Sequence, residues 1–204
     1  MRRAVIVLLS IAAVWGPDNL SAVDNKATLR VQDASTYPGN KAQEKITIAA
    51  KPYNTPALAA EAFGKAKPYE MGIMPVLVVI KNNTGKPMSL DLVAEFVSAD
   101  GEHAEALPPF DVQRYNGVRR RPDQRGRNPL PIPRSKIKAP LNVPEIENRS
   151  WGVKLLPPGE SANGFFYFEA TDADLRGAHL YLTGIKDAAS NQPYFYFEMP
   201  LDVK

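Results

Sequence analysis

Apolar and polar residues along this chain follow the patterns expected of β-strands. Residues 75–81 are apolar on both faces, which predicts a central strand with a neighbour on each side. Across residues 88–96 apolar and polar side chains alternate, which predicts a strand with one face in the core and one in water. The connection at residues 82–87 contains Gly85 and predicts a hairpin loop between these two strands.

Further elements complete an all-β pattern. The aromatic runs at residues 165–168 and 194–197 predict two more inner strands, because their rings occupy both faces. Thr55 followed by Pro56 predicts the N-cap and first position of one short helix. With Gly, Pro, Asn and Asp turns between the runs, the pattern predicts an immunoglobulin-like antiparallel β-sandwich with one short helix and a long proline- and arginine-rich loop.

The first 22 residues have the composition of a secretory signal peptide. Arg2 and Arg3 precede residues 4–15, which are apolar apart from Ser10, and this stretch is shorter than the roughly 20 residues needed to span a bilayer. We therefore expect an exported protein, periplasmic or extracellular, with no transmembrane span in the mature chain. The alternative is an uncleaved N-terminal membrane anchor. The chain has no cysteine, which excludes disulfides and thiol chemistry.

The remaining chain divides into a polar segment and one domain. Residues 23–44 are predicted to be a polar N-terminal segment, and residues 45–204 the β-sandwich domain. Within the domain, residues 107–150 carry almost no strand or helix pattern and are predicted to be a long basic, proline-rich loop insertion. Connections of that length in compact domains are usually functional or disordered.

Positive charge is concentrated in this insertion. Residues 113–138 contain nine basic residues and one acidic residue, a net charge of +8 in a chain whose overall charge is +3. Guanidinium groups bind carboxylates and phosphates through paired hydrogen bonds. The candidate anion- or partner-binding residues are Arg114, Arg119, Arg120, Arg121, Arg125 and Arg127. The expected partner is an anionic envelope polymer or an acidic protein; nucleic acid is disfavoured, because Tyr115 is the one aromatic residue nearby for stacking.

Catalytic and metal-binding patterns are weak. The two histidines, His103 and His179, are too few for a histidine metal cluster, and Asp172 and Asp174 lack the later glutamate of a calcium loop. No nucleophile elbow, phosphate-binding glycine loop or zinc-protease motif occurs. We therefore assign no catalytic residue, metal or cofactor, and expect a protein that is not an enzyme.

Several turns and strand cores of this chain resemble those of a known group of proteins. Residues 72–84, Asp100-Gly101, the Pro158-Gly159 turn before residues 164–168, and residues 175–181 carry the resemblance, which spans about residues 45–203. The chain resembles uncharacterised secreted bacterial proteins, of the acidobacterial type, with an immunoglobulin-like β-sandwich. The resemblance implies this fold and no known activity.

The function predicted from the sequence is an exported, non-enzymatic binding or assembly module that contacts an anionic envelope partner through its basic loop. One alternative is a structural or scaffolding envelope protein that uses sheet-edge contacts, the loop being only a spacer. In that case residues 194–197 would be the place for strand addition if they lie at an edge. A more remote alternative is a hydrolase with a composite site under the loop.

Overall fold

The computed structural model describes residues 29–115, 140–169 and 175–202. Its strands are β1 (Asn40–Gln43), β2 (Ile46–Pro52), β3 (Ile73–Asn82), β4 (Met88–Val97), β5 (His103–Glu105), β6 (Leu155–Leu156), β7 (Ser161–Glu169), β8 (His179–Asp187) and β9 (Phe197–Pro200). Its helices are α1 (Pro56–Phe63), α2 (Pro109–Gln113) and α3 (Pro144–Asn148), with 3-10 turns at Ala34–Thr36 and Tyr69–Met71. Within these ranges no helix is long and apolar enough to cross a membrane.

The strands form two antiparallel sheets, which confirms the predicted all-β class. The first sheet has the order β1-β2-β3-β7, and the second has the order β5-β4-β8-β9, with β6 also pairing with β4. Apolar side chains from both sheets share one core between them, among them Ile48, Val78, Leu90 and Leu182. β3 lies between β2 and β7, so the prediction of a central strand buried on both faces is confirmed.

A second apolar cluster lies on the other face of the first sheet. Phe63 of α1 and Ile146 of α3 pack there against Phe165 and Tyr167 of β7. The Tyr167 hydroxyl donates a hydrogen bond to the Ile146 carbonyl at 2.8 Å, and burial raises the pKa of this tyrosine. Because both faces of β7 are covered, residues 165–168 can be aromatic throughout, as the sequence suggested.

The predicted hairpin between β3 and β4 is wrong, because these two strands belong to different sheets. The connection instead crosses the core edge and is held by Asn82, whose side chain is fully buried. Its amide nitrogen donates to the carbonyls of Lys86, Leu156 and Pro157, at 2.7, 3.1 and 3.1 Å. Its side-chain oxygen accepts from the amide and hydroxyl of Thr84. A short connection suits either geometry, so its length alone did not distinguish them.

A bulge interrupts the pairing of β4 with β8. Leu90 pairs with Ile185 and Val93 with Thr183, so two residues of β4 lie opposite Gly184. Gly184 has φ +89°, and a Cβ atom there would lie 1.9 Å from the Asp91 carbonyl oxygen. The bulge therefore requires glycine at this position.

Two further predictions need correction. Residues 194–197 were expected to form an inner strand, but β9 begins at Phe197 and is the outer strand of the second sheet, with Phe195 69% and Tyr196 51% exposed. One short helix was expected, and α1 is present with Thr55 as its N-cap, but α2 and α3 are also helical. These two helices have five residues each, too few for an apolar helical repeat to appear in the sequence.

Candidate functional site

Of the candidate arginines, Arg114 is the one that the described residues include. Its guanidinium carbon lies 3.6 Å from the centroid of the Phe110 ring, which is 55% exposed. This cation–π contact holds a positive charge at the surface at the end of α2. The other candidates, Arg119, Arg120, Arg121, Arg125 and Arg127, lie outside the described residues.

Tyr115 ties the end of α2 to the first sheet. Its hydroxyl donates a hydrogen bond to Glu169 Oε1 at 2.9 Å, at the end of β7. Burial, and then this hydrogen bond, raise the pKa of Tyr115 to about 12, so the phenol keeps its proton at neutral pH. The chain is therefore anchored at Tyr115, which precedes the five candidate arginines that lie outside the described residues.

The two histidines lie in one row of the second sheet. His103 of β5 and His179 of β8 both pair with Val97 of β4, from opposite sides. His103 Nδ1 lies 2.7 Å from Glu95 Oε2, and this histidine side chain is 57% exposed. In the part of the chain that the structure describes, no three His, Asp or Glu side chains form a group that could hold a metal ion. No local pattern in the sequence indicated that these histidines would be in one row.

A cavity of about 310 Å³ opens at one side of the molecule, where the edges of the two sheets meet. We call it the side cavity; it is lined by residues 92–94 of β4, residues 105–109, residues 150–151 and residues 165–167 of β7. Most of its lining is aromatic, aliphatic or proline, and Glu105 is its charged residue. Its volume is at the lower end of the range for small-molecule sites.

Two segments that cross between the sheets form opposite walls of the side cavity. Ala106 hydrogen-bonds to Ala94 of the second sheet, and the next residue, Leu107, hydrogen-bonds to Tyr167 of the first. The second segment crosses in reverse: Trp151 bonds to Phe165 of the first sheet, and Lys154 to Leu90 of the second. The arginine-rich stretch lies between these two segments in the sequence: the described chain runs from the first segment to Tyr115 and resumes at residue 140 before the second.

Trp151 and Phe166 form an aromatic platform in the side cavity. Their rings are stacked, with centroids 5.9 Å apart and an interplanar angle of 14°. Trp151 Nε1 donates to the Val153 carbonyl at 3.0 Å, which fixes the ring. Gly164 allows the Trp151 main chain to lie close to β7, since a Cβ atom at residue 164 would lie 2.7 Å from Trp151 Cα. Sequence reasoning missed this site; the signal it offered was a lone Trp151 beside the end of a long connection.

Another wall of the cavity is formed by β4, which on its outer edge has a short stretch without a strand partner among the described residues. On this edge, β6 pairs with Met88 and Ser89, and β5 pairs with residues 95–97. The main-chain bonds from Leu90 and Ala94 extend these pairings toward the gap. Between them, Leu92 takes part in no strand pairing among the described residues.

Comparison with protein-family models, with curated proteins and with solved structures finds no match to this chain. Its function must therefore be argued from the geometry.

Proposed function

We propose that the protein is an exported, non-enzymatic binding module of the immunoglobulin-like β-sandwich type, whose partner is an anionic envelope polymer or an acidic protein. The observation that carries the proposal is the position of the side cavity. The chain reaches Arg114 from one wall of this cavity and returns from residue 140 through α3 to the other wall. The two described ends of the basic stretch therefore both lead to the walls of an aromatic pocket.

The strand order supports the immunoglobulin-like type. In immunoglobulin-like domains one antiparallel sheet has strands A, B, E and D and the other has C, F and G, with C′ added beside C in the variable type. The order β2-β3-β7 corresponds to A-B-E and the order β5-β4-β8-β9 to C′-C-F-G, and no strand of the described residues takes the place of D. β1 would then be an additional strand at the edge of the first sheet, joined to β2 by a hairpin.

Electrostatics support an anionic partner. The stretch with a net charge of +8 is far more basic than the chain as a whole. Arg114 shows how one of its guanidinium groups is presented, because it lies over the exposed Phe110 ring and the residue is itself exposed. Arginine in this setting forms paired hydrogen bonds with carboxylates or phosphates at low desolvation cost.

The proposal is tested by binding to immobilised polyaspartate, a defined acidic polymer, with the full-length protein. In one variant, Arg119, Arg120, Arg121, Arg125 and Arg127 are all replaced by glutamine. In the matched control, five exposed lysines elsewhere are replaced by glutamine: Lys41, Lys45, Lys65, Lys67 and Lys154. We expect the arginine variant to lose about tenfold or more in affinity and the lysine variant to lose little, with wild-type binding falling as salt screens the charges.

Equal losses in the two variants would contradict the proposal, because they would mean that polyaspartate responds only to overall charge. Unchanged binding by the arginine variant would also contradict it. A second anionic probe, lipopolysaccharide micelles, distinguishes a phosphate-bearing polymer from an acidic protein. The stronger of the two salt-sensitive, arginine-dependent interactions would indicate the class of partner.

A second candidate function is a structural protein that associates through sheet edges. It is favoured by one observation: β9 is the outer strand of its sheet, and Phe195 and Tyr196 just before it are largely exposed. A strand from another protein could pair with this edge. Hydrogen exchange of the isolated monomer tests it: full protection of the amides of residues 196–199 would argue against strand addition there.

A further inference from the structure

We propose that the side cavity binds one aromatic residue of an extended peptide segment, supplied by the protein partner. This inference rests on the proposed function, since it names the ligand of the site proposed there. It makes the partner a protein rather than a polymer. Three features of the described residues carry it: the main chain of Leu92, which has no partner in the strand registers, the direction of the Leu92 side chain, and the aromatic platform of Trp151 and Phe166.

The first feature is hydrogen bonding. Leu90 N–H bonds outward to Lys154, and Ala94 C=O accepts outward from Ala106. Main-chain groups alternate along a strand, so those of Leu92 point to the same side, into the side cavity. The Asp91 carbonyl points the opposite way, toward Gly184, in agreement with this alternation. A ligand with one amide N–H and one carbonyl can therefore pair with Leu92.

The second feature is the direction in which that ligand would place its side chain. Residues directly opposite each other in an antiparallel pair point to the same face of the sheet. Leu92 packs against the core between the sheets. The residue paired with Leu92 would thus direct its side chain inward, between the sheet edges, where Trp151 and Phe166 lie.

The third feature is the chemistry of the cavity wall. The stacked rings of Trp151 and Phe166 offer a flat apolar surface, and aromatic pairs gain stabilisation beyond that of area burial. A sugar would need several fixed polar side chains, whereas the polar side chains of the lining are those of Glu105, Ser150 and Tyr167. The Ser150 hydroxyl already donates to the Glu147 carbonyl, and that of Tyr167 to the Ile146 carbonyl. An aromatic ring fits this lining better.

The experiment uses N-acetylphenylalaninamide as the probe and the fluorescence of Trp151 as the readout. The chain has two tryptophans, Trp15 and Trp151, so the full-length variant Trp15→Phe leaves the fluorescence to the side cavity. We expect saturable binding of this probe, about tenfold weaker binding of N-acetylalaninamide, and no saturation with methyl glucoside. Absence of saturable binding by the phenylalanine probe, or preference for the glucoside, would overturn the inference.

A methylated probe separates main-chain pairing from simple insertion of a ring. N-acetyl-N-methylphenylalaninamide lacks the N–H that would donate to Leu92, and we expect it to bind about five- to tenfold more weakly to the same protein. Equal binding of both phenylalanine probes would refute the pairing with Leu92. This comparison uses unaltered cavity walls, so it does not depend on whether any cavity variant folds.

The variant Ala106→Phe fills the cavity from its wall, and Ala60→Phe, at an exposed position on α1, is its matched control. Urea midpoints first establish that both variants are folded. Loss of probe binding in Ala106→Phe and normal binding in Ala60→Phe would support the inference, whereas normal binding in both variants would refute it. The five-arginine variant should bind the phenylalanine probe normally. The probe experiment and the polyaspartate experiment can therefore fail independently.

Discussion

Substitution of Gly184 by alanine tests the bulge that shapes β4 along the side cavity. Two effects act at this position. Its φ of +89° disfavours any residue with a Cβ atom, and that atom would lie 1.9 Å from the Asp91 carbonyl oxygen and 3.2 Å from Leu92 Cα. A contact of 1.9 Å with backbone cannot be relieved by a side-chain rotation, so β4 itself would have to move.

The magnitude follows from separating the two effects. A left-handed conformation costs an L-residue about 1–2 kcal/mol. Overpacking that forces the backbone to shift adds about 1–3 kcal/mol. We therefore expect Gly184→Ala to lower the free energy of unfolding by about 2–5 kcal/mol, a large share of the stability of a single domain.

Gly159→Ala is the matched control, because Gly159 has φ +80° and a Cβ atom there would have nothing within 4 Å. It should show the conformational cost alone, about 1–2 kcal/mol. Urea denaturation, monitored by Trp151 fluorescence in the Trp15→Phe background, measures both losses of stability. The slope of the unfolding free energy against urea concentration is compared between variants to check that the transitions are equivalent. Equal losses for the two variants would refute the close contact between Gly184 and Asp91.

Two further predictions concern the β3–β4 connection and the residues that it contacts. Asn82→Ala should lower the free energy of unfolding, measured by urea denaturation, by about 2–3 kcal/mol, because three carbonyls lose their donor. The control Asn83→Ala, at an exposed position, should change it by less than about 0.5 kcal/mol. Similar values for both variants would contradict the role of Asn82. Hydrogen bonds from the amides of Ser190 and Ala189, and the Lys86 ammonium at 3.3 Å, hold the pKa of Asp187 near 2, so its stabilisation should be complete above about pH 4 and be lost as pH falls toward 2. Unfolding free energies measured across pH 2–5 should therefore fall less steeply for Asp187→Asn than for wild type, and parallel profiles would refute this.

The strands were predictable where burial alone determines the residues. β3 is apolar on both faces because both faces of the first sheet are covered, and that pattern is visible in the sequence. In β4 the inward positions Met88, Leu90, Ala94 and Phe96 are buried as the alternation predicted. The bulge left this alternation in β4 intact, because the point at which inward-facing and outward-facing positions exchange lies on the other strand, at Gly184 of β8. Local periodicity therefore sufficed for these two strands.

Features that depend on partners distant in the chain were not predictable. β3 and β4 separate because β3 pairs with β2 and β7 whereas β4 pairs with β8, and the connection between them is held by Asn82 contacts with Leu156 and Pro157, more than 70 residues away. The edge position of β9 depends on which strands remain to pair with it. An aromatic run has the same sequence pattern in an edge strand as in a central strand of a sheet. The platform of Trp151 and Phe166 likewise exists only after the second crossing segment meets β7.

The two proposed contacts are linked by the path of the chain. Both crossing segments hydrogen-bond to β7, one through Tyr167 and the other through Phe165, and the arginine-rich stretch joins them. For an acidic protein that contacted both Trp151 and the arginines, the second contact would form within one complex, at an effective concentration set by the length of chain between the two contacts. Two weak contacts on one partner then act together, and the combined affinity exceeds either alone by far more than their simple addition suggests. Such a partner would lose most of its affinity when either contact is removed, whereas polyaspartate would respond only to the arginines and the capped phenylalanine only to the cavity.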